Sequence, residues 1–178
     1  SIIFPDDPEF HDADSNNVLG VSSIATDGYD SSLDLPEPPP SPPTNYITFY
    51  FPHSGPEWEN SWDFTIFTQD IRNSNSILNS TSVWAAEIYS RINPGNAKLT
   101  FLYSGSIFAD CEISVLVGGA EYSIQNGTII DGTQIPSLYP VEIAIQVENC
   151  NYSGELGCTD PDACNYNPDA TDDDGSCE

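Results

Sequence analysis

VEIAIQV, residues 141–147, alternates strictly: Val141, Ile143, Ile145 and Val147 fall on one face, Glu142, Ala144 and Gln146 on the other. A period of two with β-branched residues on the apolar side marks a strand with one face in a core. Working outward, the same texture recurs in YITFYF (46–51), DFTIFT (63–68), SVWAAEIYS (82–90), KLTFLYS (98–104), EISVLVG (112–118) and EYSIQ (121–125). Connections rich in Pro, Gly, Asn and Ser separate them, and no stretch carries a helical period. About seven short strands at this spacing predict an all-β fold, an immunoglobulin-like antiparallel β-sandwich, over residues 46–150. Trp84 is the expected plug of its core.

Upstream, residues 1–45 read as an extended segment with a Pro-rich linker. Ile2, Ile3 and Phe4 are β-prone but too few to fold alone, and Pro5 stops them. An unpaired sheet edge offers backbone hydrogen bonds to any suitable strand, so these three residues are expected to be donated to another copy. Asp12, Asp14 and Asn16 have the spacing of the first ligands in a calcium loop. Asn17 stands where the glycine belongs and no glutamate closes the loop, which makes it a solvated turn. LPEPPPSPPT (35–44) contains six prolines and favours a polyproline spacer or a cover for a sheet edge.

Composition narrows the partners. With 28 acidic residues against three basic ones, Arg72, Arg91 and Lys98, the formal charge of −25 repels nucleic acid and anionic headgroups and attracts divalent cations. No apolar run approaches the roughly 18–20 residues that cross a bilayer, so no membrane span is expected. Five cysteines in a short chain rich in Asn, Asp, Ser and Pro point to an oxidising, extracellular or cell-surface setting. The absence of Met and the start at Ser1 suit a mature fragment. Cys111 opens one predicted strand and Cys150 follows another. A bridge between them closes a loop of about 40 residues, worth roughly 3–4 kcal/mol on the chain-entropy account. Asn79, Asn126 and Asn151 head N-x-S/T sequons in predicted turns, where a glycan can project into solvent.

The acidic module at 151–178 holds GCTDPDACNYNPDATDDDGSC (157–177), bracketed by Cys158 and Cys177. A bridge there closes about 20 residues and stabilises a segment with almost no core by roughly 3 kcal/mol. Asp160, Asp162, Asp169, Asp172, Asp173 and Asp174, with Asn165 and Asn167, supply hard oxygen ligands, which suit calcium and not zinc or copper. Cys164 is the odd cysteine, expected to pair outside this stretch.

Catalytic machinery is not evident, and the chain is read as a non-enzyme. His11 and His53 are the only histidines; neither lies in a nucleophile motif, and no phosphate loop or zinc spacing occurs. Carboxylates gather in leader, linker and tail, whereas a glycosidase needs two of them held across a structured groove. Trp58 and Trp62, in HSGPEWENSW, are either packed locally or exposed as rings on which a glycan stacks.

The stretch at 157–177, with GCTDP, NYNP and DDGSC, resembles a short repeat of the form GCTDP-x-A-x-NY-x-P-x-A-x-x-DDGSC. That repeat occurs in large modular proteins exported by bacteria of the Bacteroidota type, associated with type IX secretion, often near adhesive or β-sandwich modules. ATDGYDSSLDLPEPPPSPPTNYITFYFPH (25–53), FTQDIR (67–72) and VWAAEIYS (83–90) are similar to a β-rich domain of secreted bacterial proteins. Its pattern runs D-x-x-D-x-P-x-PP, a YxxLYFPH-like strand, then DIR, and the likeness spans most of 18–149. Neither module carries catalytic residues to transfer. The resemblance implies an extracellular building block, with a calcium role for the repeat by likeness to acidic cysteine-bounded calcium repeats.

Two readings follow. In the first, the chain is a structural repeat unit assembling head to tail into a filament or surface stalk, with copies of itself or neighbouring modules as partners. In the alternative it is an adhesin or carbohydrate-binding module, with glycans as partners at Trp58 and Trp62.

Overall fold

The alternation at 141–147 becomes a strand whose Ile143, Ile145 and Val147 are buried while Glu142 stays exposed. The structure is a computed structural model, which describes the chain apart from residues 1, 4–12, 15, 39–45, 79, 91–94, 104–105, 137–138, 152–153 and 174–175. In chain order the strands are β1 (Ile2–Ile3), β2 (Ala13–Asp14), β3 (Val18–Ser22), β4 (Leu35–Pro36), β5 (Ile47–Pro52), β6 (Ile66–Asn73) and β7 (Ser82–Ser90). They continue with β8 (Gly95–Thr100), β9 (Glu112–Val117), β10 (Ala120–Ser123), β11 (Ile129–Ile135), β12 (Val141–Glu148), β13 (Leu156–Gly157) and β14 (Asp172–Asp173). Two helical turns, α1 (Asn75–Leu78) and α2 (Ser106–Ala109), complete the set among the described residues.

The large sheet runs β10-β9-β12-β7-β5-β6-β3, with β4 also on β6; the small sheet runs β11-β8-β1-β2. Their facing sides share one core. Ala97, Leu99, Ile130 and Ile135 of the small sheet cluster with Trp84, Ile88, Val115, Val117, Ile143, Ile145 and Val147 of the large one. Trp84 is fully buried, as its place in SVWAAEIYS suggested. The all-β sandwich therefore stands. Its pairing is antiparallel except that β3 runs parallel to β6, a geometry that needs the long connection between them, and β13 runs parallel to β14.

Three expectations change. First, residues 1–45 are not a mere extension: β3 and β4 both pair with β6, and Ala25 and Asp34 are buried. Leu35 and Pro36 cover a sheet position, the edge role open to a proline. Second, the strand read at 63–68 begins at Ile66 and continues to Asn73, because Asp70 and Arg72 find partners inside the fold. Third, IIDGTQI (129–135), left among the connections between the strands read from the sequence, is itself a strand. Gly132 has φ +79 and the register with β8 shifts between Ile130 and Thr133, so Asp131 and Gly132 form a bulge.

Strand β5 is shared. Ile47 to Tyr50 pair with β7, while Phe51 and Pro52 pair with β6. The Phe49 amide, beyond the reach of β6, donates instead to Asp14 Oδ2 at 2.6 Å, and this ties β2 of the small sheet to the large one.

Candidate functional site

The residues with the most chemistry converge at the β5–β6 end of the large sheet. His53 follows β5 directly, and Asp70 and Arg72 lie two apart on β6, so their side chains share one face. The carboxylate of Asp70 is wholly buried. His53 Nε2 donates to Asp70 Oδ2 at 3.0 Å, and the Arg72 guanidinium donates to both carboxylate oxygens, Nη2 to Oδ2 at 3.1 Å and Nε to Oδ1 at 3.2 Å. Burial pushes the Asp70 carboxyl upward, but the hydrogen bonds and charge of His53 and Arg72 outweigh it and hold the group below its ordinary value.

Aromatic rings enclose this triad. The indole of Trp58 stacks on the imidazole with centroids 3.4 Å apart, and Arg72 lies 4.6 Å over the ring of Trp84. Asp34, also fully buried, accepts the amides of Ile71 (2.8 Å) and Asp30 (2.7 Å). Its carboxyl is raised, chiefly by burial, against the lowering effect of those two bonds.

A carboxylate-bound imidazole can serve proton transfer, yet here its face is covered by Trp58 and its carboxylate is shared with Arg72. Among the described residues, the His53 ring bonds to Asp70 and the His53 amide donates to the Thr65 carbonyl at 2.8 Å. The arrangement braces the end of the sheet.

Beside it lies an open groove of about 420 Å³, lined by His53, Gly55, Glu59, Asn60, Asp63 and Phe64 among others. Asn60 organises the rim: its Nδ2 donates to the carbonyls of Trp58 and Phe64, and its Oδ1 accepts the amides of Trp62 and Phe64. The two tryptophans of this loop part company. Trp58 is buried against His53 at the groove's inner side, whereas Trp62 is 77% exposed.

At the other end of the chain the acidic tail is closed by Cys158–Cys177, and Cys111–Cys150 joins the residue before β9 to the second residue beyond β12. Both are the pairings the spacing suggested, and Cys164 is free and exposed. Among the described residues, no group of three or more His, Cys, Asp or Glu side chains is placed to hold a metal ion. The asparagines hold the backbone instead. Asn167 Oδ1 accepts the Asp169 amide at 3.0 Å, Asn165 Oδ1 accepts the Glu178 amide at 3.0 Å, and Asn165 Nδ2 donates to the Ser176 carbonyl. Asp160 Oδ1 likewise accepts the Asp162 amide at 2.9 Å. The Asp160 and Asn167 bonds are Asx turns, and the Asn165 bonds tie the middle of the loop to its far end. Asp174 lies outside the described residues.

Of the sequons, Asn126 and Asn151 are exposed, and Asn79 lies outside the described residues. Asn126 Oδ1 accepts the Tyr103 amide at 3.2 Å, leaving its amide nitrogen clear for a glycan. Ile2 and Ile3 do lie in a sheet, but within their own chain: Ile2 is opposite Leu99 and Asp14, and Ile3 is opposite Lys98 and Ala13. Phe4, like His11 and Asp12, lies outside the described residues.

Sequence reasoning about sites missed the His53–Asp70–Arg72 triad and Asp34. The signal was present in the motif that carried the second resemblance, since FPH ends at His53 and DIR is Asp70, Ile71 and Arg72. Those motif residues are the buried polar network. No protein family, curated protein or solved structure matches this chain.

Proposed function

We propose that the chain is an extracellular structural unit, a β-sandwich that assembles head to tail into a filament or surface stalk with copies of itself or with neighbouring modules. The observation that carries this reading is how little side-chain charge is left for any other contact between copies. Of the three basic residues, Arg72 is locked onto Asp70, against 28 acidic ones. Copies of such high like charge have few ion pairs to offer one another, whereas main-chain pairing at a sheet edge is indifferent to net charge. Two disulfides add covalent bracing of a kind kept in oxidising compartments. Glycans at Asn126 and Asn151 and calcium at the acidic tail belong to the same reading. Chelation should then loosen residues 157–177 to hydrogen exchange; unchanged protection would remove calcium from it.

Electron microscopy of the protein recovered from its source without denaturation tests the proposal. Regular fibrils with a subunit-sized repeat are expected, and isolated particles at all concentrations would overturn it. The adhesin reading is favoured by one observation, the exposed Trp62 on a loop that Asn60 holds with four hydrogen bonds. Glycan-array binding lost in Trp62→Ala would promote it, and an array without hits would retire it.

A further inference from the structure

We propose that the place beside β8 held by Ile2 and Ile3 is a receptor slot for the N-terminal strand of a second copy. This deepens the structural-unit reading and rests on it. Strand β8 is paired with β11 along its length, from Gly95 opposite Ile135 to Thr100 opposite Ile129. On its other side, among the described residues, Lys98 and Leu99 pair with Ile3 and Ile2. Strand β1 is therefore a short insert, with β8 on one side and β2 on the other. Its withdrawal would leave an edge in the middle of the small sheet beside Ala97 and Leu99, both of them in the core. The slot must be filled, and the main-chain bonds that fill it are the same whichever copy supplies residues 2 and 3.

The connecting sequence is long enough for supply from outside. Residues 4–12 carry Pro5, Pro8 and the acidic Asp6, Asp7, Glu9 and Asp12. Nine such residues can reach about 30 Å. Charge also matches: Lys98, one of only three basic residues, stands opposite Ile3 in the slot, and the arm that follows Ile3 is acidic.

Two of the other edges, β11 and β10, are less receptive. Strand β11 carries the bulge at Asp131 and Gly132, and β10 is four residues long with Glu121 in it. Bulges, shortness and edge charge are the features that deter strand addition. Arm and slot are different surfaces, so the contact can propagate instead of closing.

Directly opposed residues have Cβ atoms about 4.5–5.5 Å apart, close enough for a disulfide after small adjustment. Ile3→Cys in one chain and Lys98→Cys in another, both with Cys164→Ser, are assembled together and oxidised. The expected result is a covalent heterodimer on a non-reducing gel. A chain carrying both substitutions should form ladders. If the doubly substituted chain links only within itself and the split pair does not link, strand exchange is overturned; absence of any link overturns it as well. Fibrils whose cross-links are all internal would keep the structural reading and remove the slot. Intermolecular links in particles that never grow beyond a pair would keep the slot and remove the filament.

Discussion

The sandwich and the acidic tail are each closed by one disulfide, yet the two bridges carry different loads. Cys111–Cys150 spans strands that are already paired in register from Ile143–Val117 to Glu148–Glu112, and it packs against the shared core. In the tail, Cys158 is buried while Asp160, Asp162, Cys164, Asp169 and Cys177 are exposed, and β13 and β14 meet over only two residues each. Order there comes from the covalent link and from side chains that cap backbone amides. A segment this small buries too little apolar surface to offset its chain entropy, so a staple replaces the core.

The sharpest way to break this comparison is to remove apolar burial. Trp84→Ala should destabilise the sandwich by about 3–5 kcal/mol, read as a lower urea midpoint by far-UV circular dichroism. Tail amides released to the same extent would show that the tail leans on the core after all.

Next come the bridges themselves. Replacing Cys111 and Cys150 by Ser should lower sandwich stability by about 3–4 kcal/mol. The corresponding Cys158 and Cys177 pair should leave the sandwich midpoint in place. It should instead abolish exchange protection at the amides of Asn167 and Thr171, which bond to the carbonyls of Cys158 and Glu155. Equal global losses from both pairs would erase the distinction.

Asp70→Asn probes the polar brace inside the apolar body, and breaking a buried ion pair from one side costs about 3 kcal/mol. Because the folded-state carboxyl is held below its ordinary value, its contribution is present above the usual carboxylate range and is lost as pH falls through the lowered value. The gap between wild type and variant should therefore narrow in acid. A gap constant from neutral pH to pH 2 would show that the charge on Asp70 is not what matters.

The smallest effect is expected at Glu37, half-buried, where it accepts the Thr48 hydroxyl at 2.5 Å. Burial, then the charge of Asp14, raise its carboxyl against that bond. A raised carboxyl favours the fold when protonated and opposes it as pH rises past the raised value. Glu37→Gln should thus stabilise by about 0.5 kcal/mol or less at neutral pH. The gain should vanish as pH enters the carboxylate range, and a variant destabilised at pH 7 would contradict this sign.

Legibility followed the range of the signal. VEIAIQV and SVWAAEIYS declared their strands because alternation is written into neighbouring residues. IIDGTQI was hidden because Asp-Gly is a turn signal whose bulge exists only against β8. VLGVS went unread for a similar reason: its apolar residues are few, and its parallel register with β6 is set by a partner about 50 positions away. Among candidate site residues, Trp58 and Trp62 look alike in HSGPEWENSW, and only the neighbourhood of His53 separates a buried ring from an exposed one.

By itself the sequence determined the all-β class, the core position of Trp84, the cysteine partnerships and a charge that disfavours polyanions. Each of these depends on composition, on a period of two, or on spacing along the chain. Only the tertiary structure decided that Asp14 caps Phe49 across 35 residues, that His53 and Arg72 meet on Asp70, and that Ile2 and Ile3 lie between β8 and β2. Those meetings follow from the order of strands in a sheet. That order is set by the joint burial of distant faces, which no local run of residues encodes.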